Sequence, residues 1–355
     1  MPGRGRDLLR GGIACLGLLV TAAPVVAQDW ATRELCFPPR IEIHDEVFAP
    51  EGRAELEARA AAIPHATGRF WRITAPNGGV SHLWGTMHSS HRSVLDLPAA
   101  VREALASADR LGLEIDPTFP DRESHDAYMR GDDVYRRDGS VTAYRDLELP
   151  ARFEEHLVTR LRALGWSPDA LPELKLGTLA ELLLYDPCED FSAGVLPSQD
   201  SYLQTLAHIG GIPVLPLEDS DRLSAKLNTP GNEDLARAII GTYAVYLMPG
   251  ATPEARATAL ALYRTGRVGL MMAWDEAQVT AALGNEGPAL YARMTEYLVD
   301  ERNEDFVNAA RDALREGGVF IGVGNFHLPG ENGMIELLRA EGFDVTRIPL
   351  PGEAP

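Results

Sequence analysis

The chain has 355 residues, with 33 Lys and Arg against 52 Asp and Glu, for a formal net charge of −19. Its 45% hydrophobic and 24% charged residues exclude a collagen-like, disordered or disulfide-dense protein. So acidic a chain offers nothing to a nucleic-acid backbone or an anionic bilayer, and its length can bury a large α/β core.

Residues 1–27 read as a secretory signal peptide. Arg4, Arg6 and Arg10 precede an apolar run from Gly11 to Val26, and Val25 and Ala27 supply small residues at −3 and −1 of a cleavage site. The run is too short for a stable span, so the expected location is periplasmic or secreted, without a membrane anchor after cleavage. Cleavage removes three Arg and one Asp and leaves a mature charge of −21. It also removes Cys15, so Cys36 and Cys188 remain as an even pair expected to form a disulfide in an oxidising compartment.

Residues 28–68 form an N-terminal arm, with an amphipathic helix from Ala49 to Ile63 ended by Pro64. The main α/β domain then spans 69–350. Phe70 to Thr74 and Val80 to Trp84 flank Asn77-Gly78 and predict a β-hairpin. A helix over Pro98 to Ala108 and a strand over Arg110 to Ile115 complete a βαβ unit, which favours a parallel sheet. Thr118 to Ser140 is polar and reads as a surface insertion or lid, and 150–185 as a helical block broken at its prolines. Asp200 to Ile209 is a helix capped by Gly210-Gly211 and followed by a strand over Ile212 to Leu217. Asn232 to Glu316 is almost wholly helical. A strand at Val319 to Val323, a helix from Glu331 to Ala340 and a strand at Phe343 to Ile348 end the chain.

Strand, Gly-x-x-His, helix and strand therefore occur twice, over 80–116 and 319–349. The fold class is α/β: a central parallel sheet built on two pseudo-repeated units, with large helical insertions. Loops at the carboxyl ends of parallel strands open on one edge, so His88 and His327 point to one cleft although 239 positions separate them. Paired imidazoles with a carboxylate suit a divalent metal such as Mn, Co or Zn. Glu114, at the end of the strand after His88, is the expected carboxylate, because a charge there needs a partner. Asp116 is the second choice, able to orient a ligand histidine. His82 and His91 read as rim residues, and Asp200 equally suits a helix N-cap.

These segments resemble the TraB/GumN family. The resemblance is carried by Ser81 to His88, by Ala108 to Asp116, and by Gly322 to Gly333 with the helix behind it. It implies a fold related to the erythromycin-esterase and ChaN-like group, and kinship with TIKI proteins, which are Mn- or Co-dependent proteases. Carried over, His88 and His327 become metal ligands or catalytic histidines and Glu114 a ligand or general base. Asp200, Glu218, Arg302 and Asn303 become substrate or cleft residues. The family's usual Gly-Ile-Asp or Gly-Leu-Asp segment reads Ser198-Gln199-Asp200 here, and Asp219-Ser220 replaces a Thr-containing turn after Glu218. The leading expectation is a metal-dependent hydrolase acting on a peptide or small molecule. The alternatives are a haem- or iron-binding protein and a metal-free esterase-like hydrolase. A serine nucleophile is not expected, because no Gly-x-Ser-x-Gly elbow occurs.

Overall fold

The computed structural model describes residues 37–116, 154, 157–158, 161, 167–183, 198–219, 222–246 and 252–354. The signal-peptide segment, Cys36, Cys188 and the insertion at Thr118 to Ser140 lie outside the described residues. Among those described, no helix is long and apolar enough to cross a membrane.

The Asn-Gly turn forms as expected, with Gly78 at φ +87 and its N–H donating to Ala75 O at 2.8 Å. It joins β1 (Phe70–Thr74) to β2 (Val80–Thr86), which pair antiparallel from Phe70↔Trp84 to Thr74↔Val80. A helical turn at Arg92–Leu95 and helix α1 (Ala99–Ala106) lead to β3 (Arg110–Leu113). Helix α2 (Gln199–Gly210) ends on Gly211 in the left-handed region, φ +69, and feeds β4 (Val214–Pro216). The strand Ile212 to Leu217 shrinks to three residues and starts late because Pro213 lacks the N–H that a ladder needs, while Pro216 lies within β4 and Leu217 N–H still donates to Leu113 O at 2.9 Å.

The helical stretch resolves into α3 (Glu233–Tyr246), α4 (Pro253–Arg264), α5 (Val268–Leu283), α6 (Gly287–Thr295) and α7 (Glu301–Glu316). A π-helical turn, Glu296–Asp300, joins α6 to α7. Strand β5 (Val319–Gly324), helix α8 (Met334–Ala340) and β6 (Asp344–Arg347) complete the fold.

The described strands form one sheet in the order β4-β3-β5-β2-β1-β6. β5 sits between β3 and β2 and runs parallel to both, so β2, β5 and β3 end together on one edge. Their side chains alternate between two cores. Trp84, Leu111, Leu113 and Phe320 pack on one face with α2 and α4, while Leu83, Ile321 and Val323 pack on the other with α7 and α8. Burial on both faces explains the nearly unbroken apolar run of β5. A third core, with Leu176, Leu179, Leu235, Ile239 and Tyr297, belongs to the helical layer before α7.

Candidate functional site

The site lies at the carboxyl edge of the three central strands. Thr86 at the end of β2 is opposite Gly324 at the end of β5, and Glu114 follows directly on β3. The chain leaves β2 and β5 through the two Gly-x-x-His loops, so both histidines reach the same place from adjacent strands.

Each histidine is held by a helix on a different face of the sheet. On one face, Asp200 in the first turn of α2 contacts His88 Nδ1 through Oδ2 at 2.9 Å and accepts from Thr86 Oγ1 at 2.7 Å. A carboxylate oxygen accepts, so His88 Nδ1 carries the proton of this bond. On the other face, Asn303 in the first turn of α7 contacts His327 Nδ1 through Oδ1 at 2.7 Å, while its Nδ2 donates to Asn332 O at 2.8 Å. That second bond fixes the amide orientation, so His327 too is protonated at Nδ1 and presents Nε2 as a lone pair. Burial holds the His327 ring neutral, with a pKa lowered to about 4, an effect that Arg302 and His88 reinforce against Glu114.

Glu114 lies between them. Its Oε1 accepts from Gly324 N–H at 2.6 Å and is 3.7 Å from His327 Nε2, and its Oε2 accepts from Arg302 Nη2 at 2.7 Å. Burial alone would raise this carboxyl. Arg302, the two histidines and the Gly324 N–H outweigh it and hold Glu114 far below the ordinary carboxylate range. Arg302 also grips Glu218, donating from Nε to both its oxygens at 3.0 and 3.1 Å. Glu218 shifts the other way, upward, because burial and the Glu114 charge together exceed what Arg302 returns. The remaining Arg302 donor, Nη1, reaches Leu298 O at 3.2 Å and so takes up a carbonyl of the π-helical turn. π-turns of this kind recur inside helices at functional sites.

Gly324 shows how closely these groups meet. A Cβ built there would lie 3.2 Å from Glu114 Oε1, 3.4 Å from His327 Cδ2 and 3.7 Å from His88 Nε2. A Cβ would press only on Glu114 Oε1 and meet the two rings at ordinary contact, so the three side chains converge on the face that Gly324 leaves bare.

His88, His327, Glu114, Asp200, Glu218, Arg302 and Asn303 thus come together in one network. Asp116 accepts from Gln204 Nε2 at 2.7 Å, and Asp200 is the carboxylate on His88 Nδ1. Ser198, rather than Asp200, occupies the N-cap of α2. His91 caps the turn at Arg92–Leu95, and His82 stacks on Phe70, 5.4 Å between ring centres. Thr86, Gln199 and Tyr263 also support the site. Thr86 lies within the motif and Gln199 within the quoted departure from the family pattern, whereas Tyr263 has no local signal.

The donor set has the character a divalent cation requires, namely two imidazoles with anchored Nδ1 protons beside an ionised carboxylate. Among the described residues, however, no three His, Cys, Asp or Glu side chains form a group that could hold a metal ion. Arg302 and Gly324 engage the two Glu114 oxygens. The histidine pair is the part that fits.

No curated protein and no solved structure gives a significant match to the chain. The family comparison agrees with the motifs, the sheet they build and the edge where they meet: residues 69–347 match the TraB/PrgY/gumN family, and the chain belongs to it.

Proposed function

We propose that the protein is a hydrolase acting on a peptide or small-molecule substrate, with a divalent metal (Mn, Co or Zn) held by His88 and His327 beside Glu114. The observation that carries this reading is the shared anchoring: both rings are pinned through Nδ1 and converge beside Glu114, with His327 Nε2 3.7 Å from Glu114 Oε1 and His88 Nε2 3.7 Å from a Cβ built at Gly324. A metal so held supplies Lewis acidity, polarising a scissile carbonyl and acidifying water. Glu114, buried and held ionised, would supply compensating negative charge beside the metal; its depressed pKa and engaged Oε1 suit it to that role rather than to proton uptake. Arg302 keeps Glu114 charged and Glu218 beside it, while Asp200 and Asn303 fix the two rings against rotation. Export to the periplasm or the exterior, with Cys36 and Cys188 paired, belongs to the same proposal on the strength of residues 1–27.

Metal content, calorimetric titration with Mn, Co and Zn, and a peptide-hydrolysis screen test it, each on wild type, His88→Ala and His327→Ala. Binding and turnover that both variants lose would support the reading, and no binding to wild type would end it. A second reading, metal-free hydrolysis with His88 and Asp200 as the proton-handling pair, draws on the engagement of both Glu114 oxygens. Turnover that survives chelators would favour it. A haem Soret band lost in His327→Ala would instead favour the binding-protein alternative.

A further inference from the structure

The start of α2 does more than present Asp200. β1 begins its pairing with β2 at Phe70↔Trp84, extended by one bond from Gly85 N–H to Arg69 O at 2.8 Å. Met87 lies beyond that point, and its N–H donates to Gln199 Oε1 at 3.2 Å. The hydroxyl of Tyr263 sits 2.7 Å from the same Oε1 and 2.9 Å from Gly85 O, with one proton for the two acceptors. At its other end the Gln199 amide donates from Nε2 to Val94 O. These partners settle the amide orientation, since a flipped group would set an NH₂ against the Met87 donor and an oxygen against a carbonyl.

Gln199 and Tyr263 are both 0% exposed, so every polar atom here is costly to leave unmatched. Arg69 lies over the Tyr263 and Trp84 rings, 4.6 and 5.0 Å from their centres, and donates to Glu353 Oε1 at 3.0 Å. The clamp is therefore backed by a buried chain that reaches the C-terminal segment. Residues 199 and 200 together grip three consecutive positions: the Thr86 hydroxyl, the Met87 backbone and the His88 ring.

We propose that Gln199 is a positioning residue: with Tyr263 it continues the β2 ladder in side-chain form and fixes the height of the His88 loop, so that Asp200 meets His88 Nδ1. The importance of that placement rests on the function proposed above, but the placement can be measured without metal or turnover. The experiment compares the full chain with Gln199→Leu and Gln199→Glu. Hydrogen exchange is read at the Met87 amide, and the His88 ring is observed by ¹⁵N spectroscopy, assigned with His88→Ala.

In Gln199→Leu, Met87 exchange should rise about tenfold or more, the equivalent of one lost buried hydrogen bond, while Leu83 in the β2 ladder stays protected. The His88 ring signal should change from one with Nδ1–H held on Asp200 to an average, and Gln199→Glu, which sets an oxygen against Val94 O in a fully buried site, should not restore full protection. Unchanged Met87 protection and an unchanged His88 tautomer in Gln199→Leu would overturn the assignment, as would loss of Leu83 protection to the same extent as Met87. If Gln199→Leu does not fold, Tyr263→Phe takes its place; faster Met87 exchange supports the clamp and wild-type protection refutes it. A chain that binds no metal yet answers these tests would lose the hydrolase reading and keep the positioning role.

Discussion

Replacing Arg302 with Met removes the cation shared by Glu114 and Glu218, whose side chains are 11% and 4% exposed. Breaking a buried ion pair from one side costs about 3–5 kcal/mol, because a charge is stranded in the interior. Each stranded carboxyl can escape by keeping its proton. At about pH 7.5 that costs roughly 1.4 kcal/mol for each unit above the ordinary value near 4.3, about 4 kcal/mol per group; near pH 5 it costs about 1. In the wild type the Glu114 pKa is depressed, so its contribution is present above the ordinary carboxylate range and lost only in strong acid. Arg302→Met should therefore lose about 3–5 kcal/mol near pH 7.5, and the gap to wild type should narrow by about 2–3 kcal/mol toward pH 5. Urea unfolding of both proteins at several pH values measures this. A loss under about 1 kcal/mol, or a gap independent of pH, would refute the view that Arg302 neutralises these carboxylates.

Gly324→Ala should barely change stability, because the backbone at φ −48, ψ 136 admits alanine, yet it should abolish metal binding by filling the space between Glu114, His327 and His88; calorimetry beside thermal unfolding checks both halves. Asn303→Ala frees the His327 ring and leaves a buried donor unmatched, so about 1–3 kcal/mol of stability and the metal affinity should fall together, read by the same two methods. Burial raises Asp275 from 3.8 to about 7, with Glu276 adding to it against the Tyr291 hydroxyl bond at 3.1 Å. A raised carboxyl supports the fold below its unfolded value and loses that support as pH climbs through the folded one. Stability should thus decline between about pH 4 and 7, and Asp275→Asn should flatten that decline in thermal scans across the window.

The strand and motif order was readable from the sequence because it rests on local signals. Asn77-Gly78 sets the hairpin, the apolar run of β5 marks a strand buried on both faces, and each Gly-x-x-His follows a strand directly. The convergence of His88 and His327 followed from the parallel-sheet rule alone. The partners of the rings were less legible. Asp200 read equally well as a cap, because an acid at a helix start satisfies either role until the neighbouring strand is in place. Asp116 accepts from Gln204, a partner on α2 that no local signal announces. Tyr263 belongs to an unremarkable helix, and its link to the His88 loop exists only across 178 positions of chain. The late start of β4 was written in Pro213.

The two histidines hang from neighbouring strands, and strands in a sheet keep a spacing of about 4.8 Å whatever their side chains. The separation of the two loop origins is thus a property of the backbone ladder between Thr86 and Gly324, not of the loops. Loop residues can drift in sequence without changing that separation. What sets it is the register of β2 against β5, and a one-residue slip there would turn the slipped strand inside out. Such a slip is blocked by the whole double core, so the separation of the two loop origins is as durable as the fold itself.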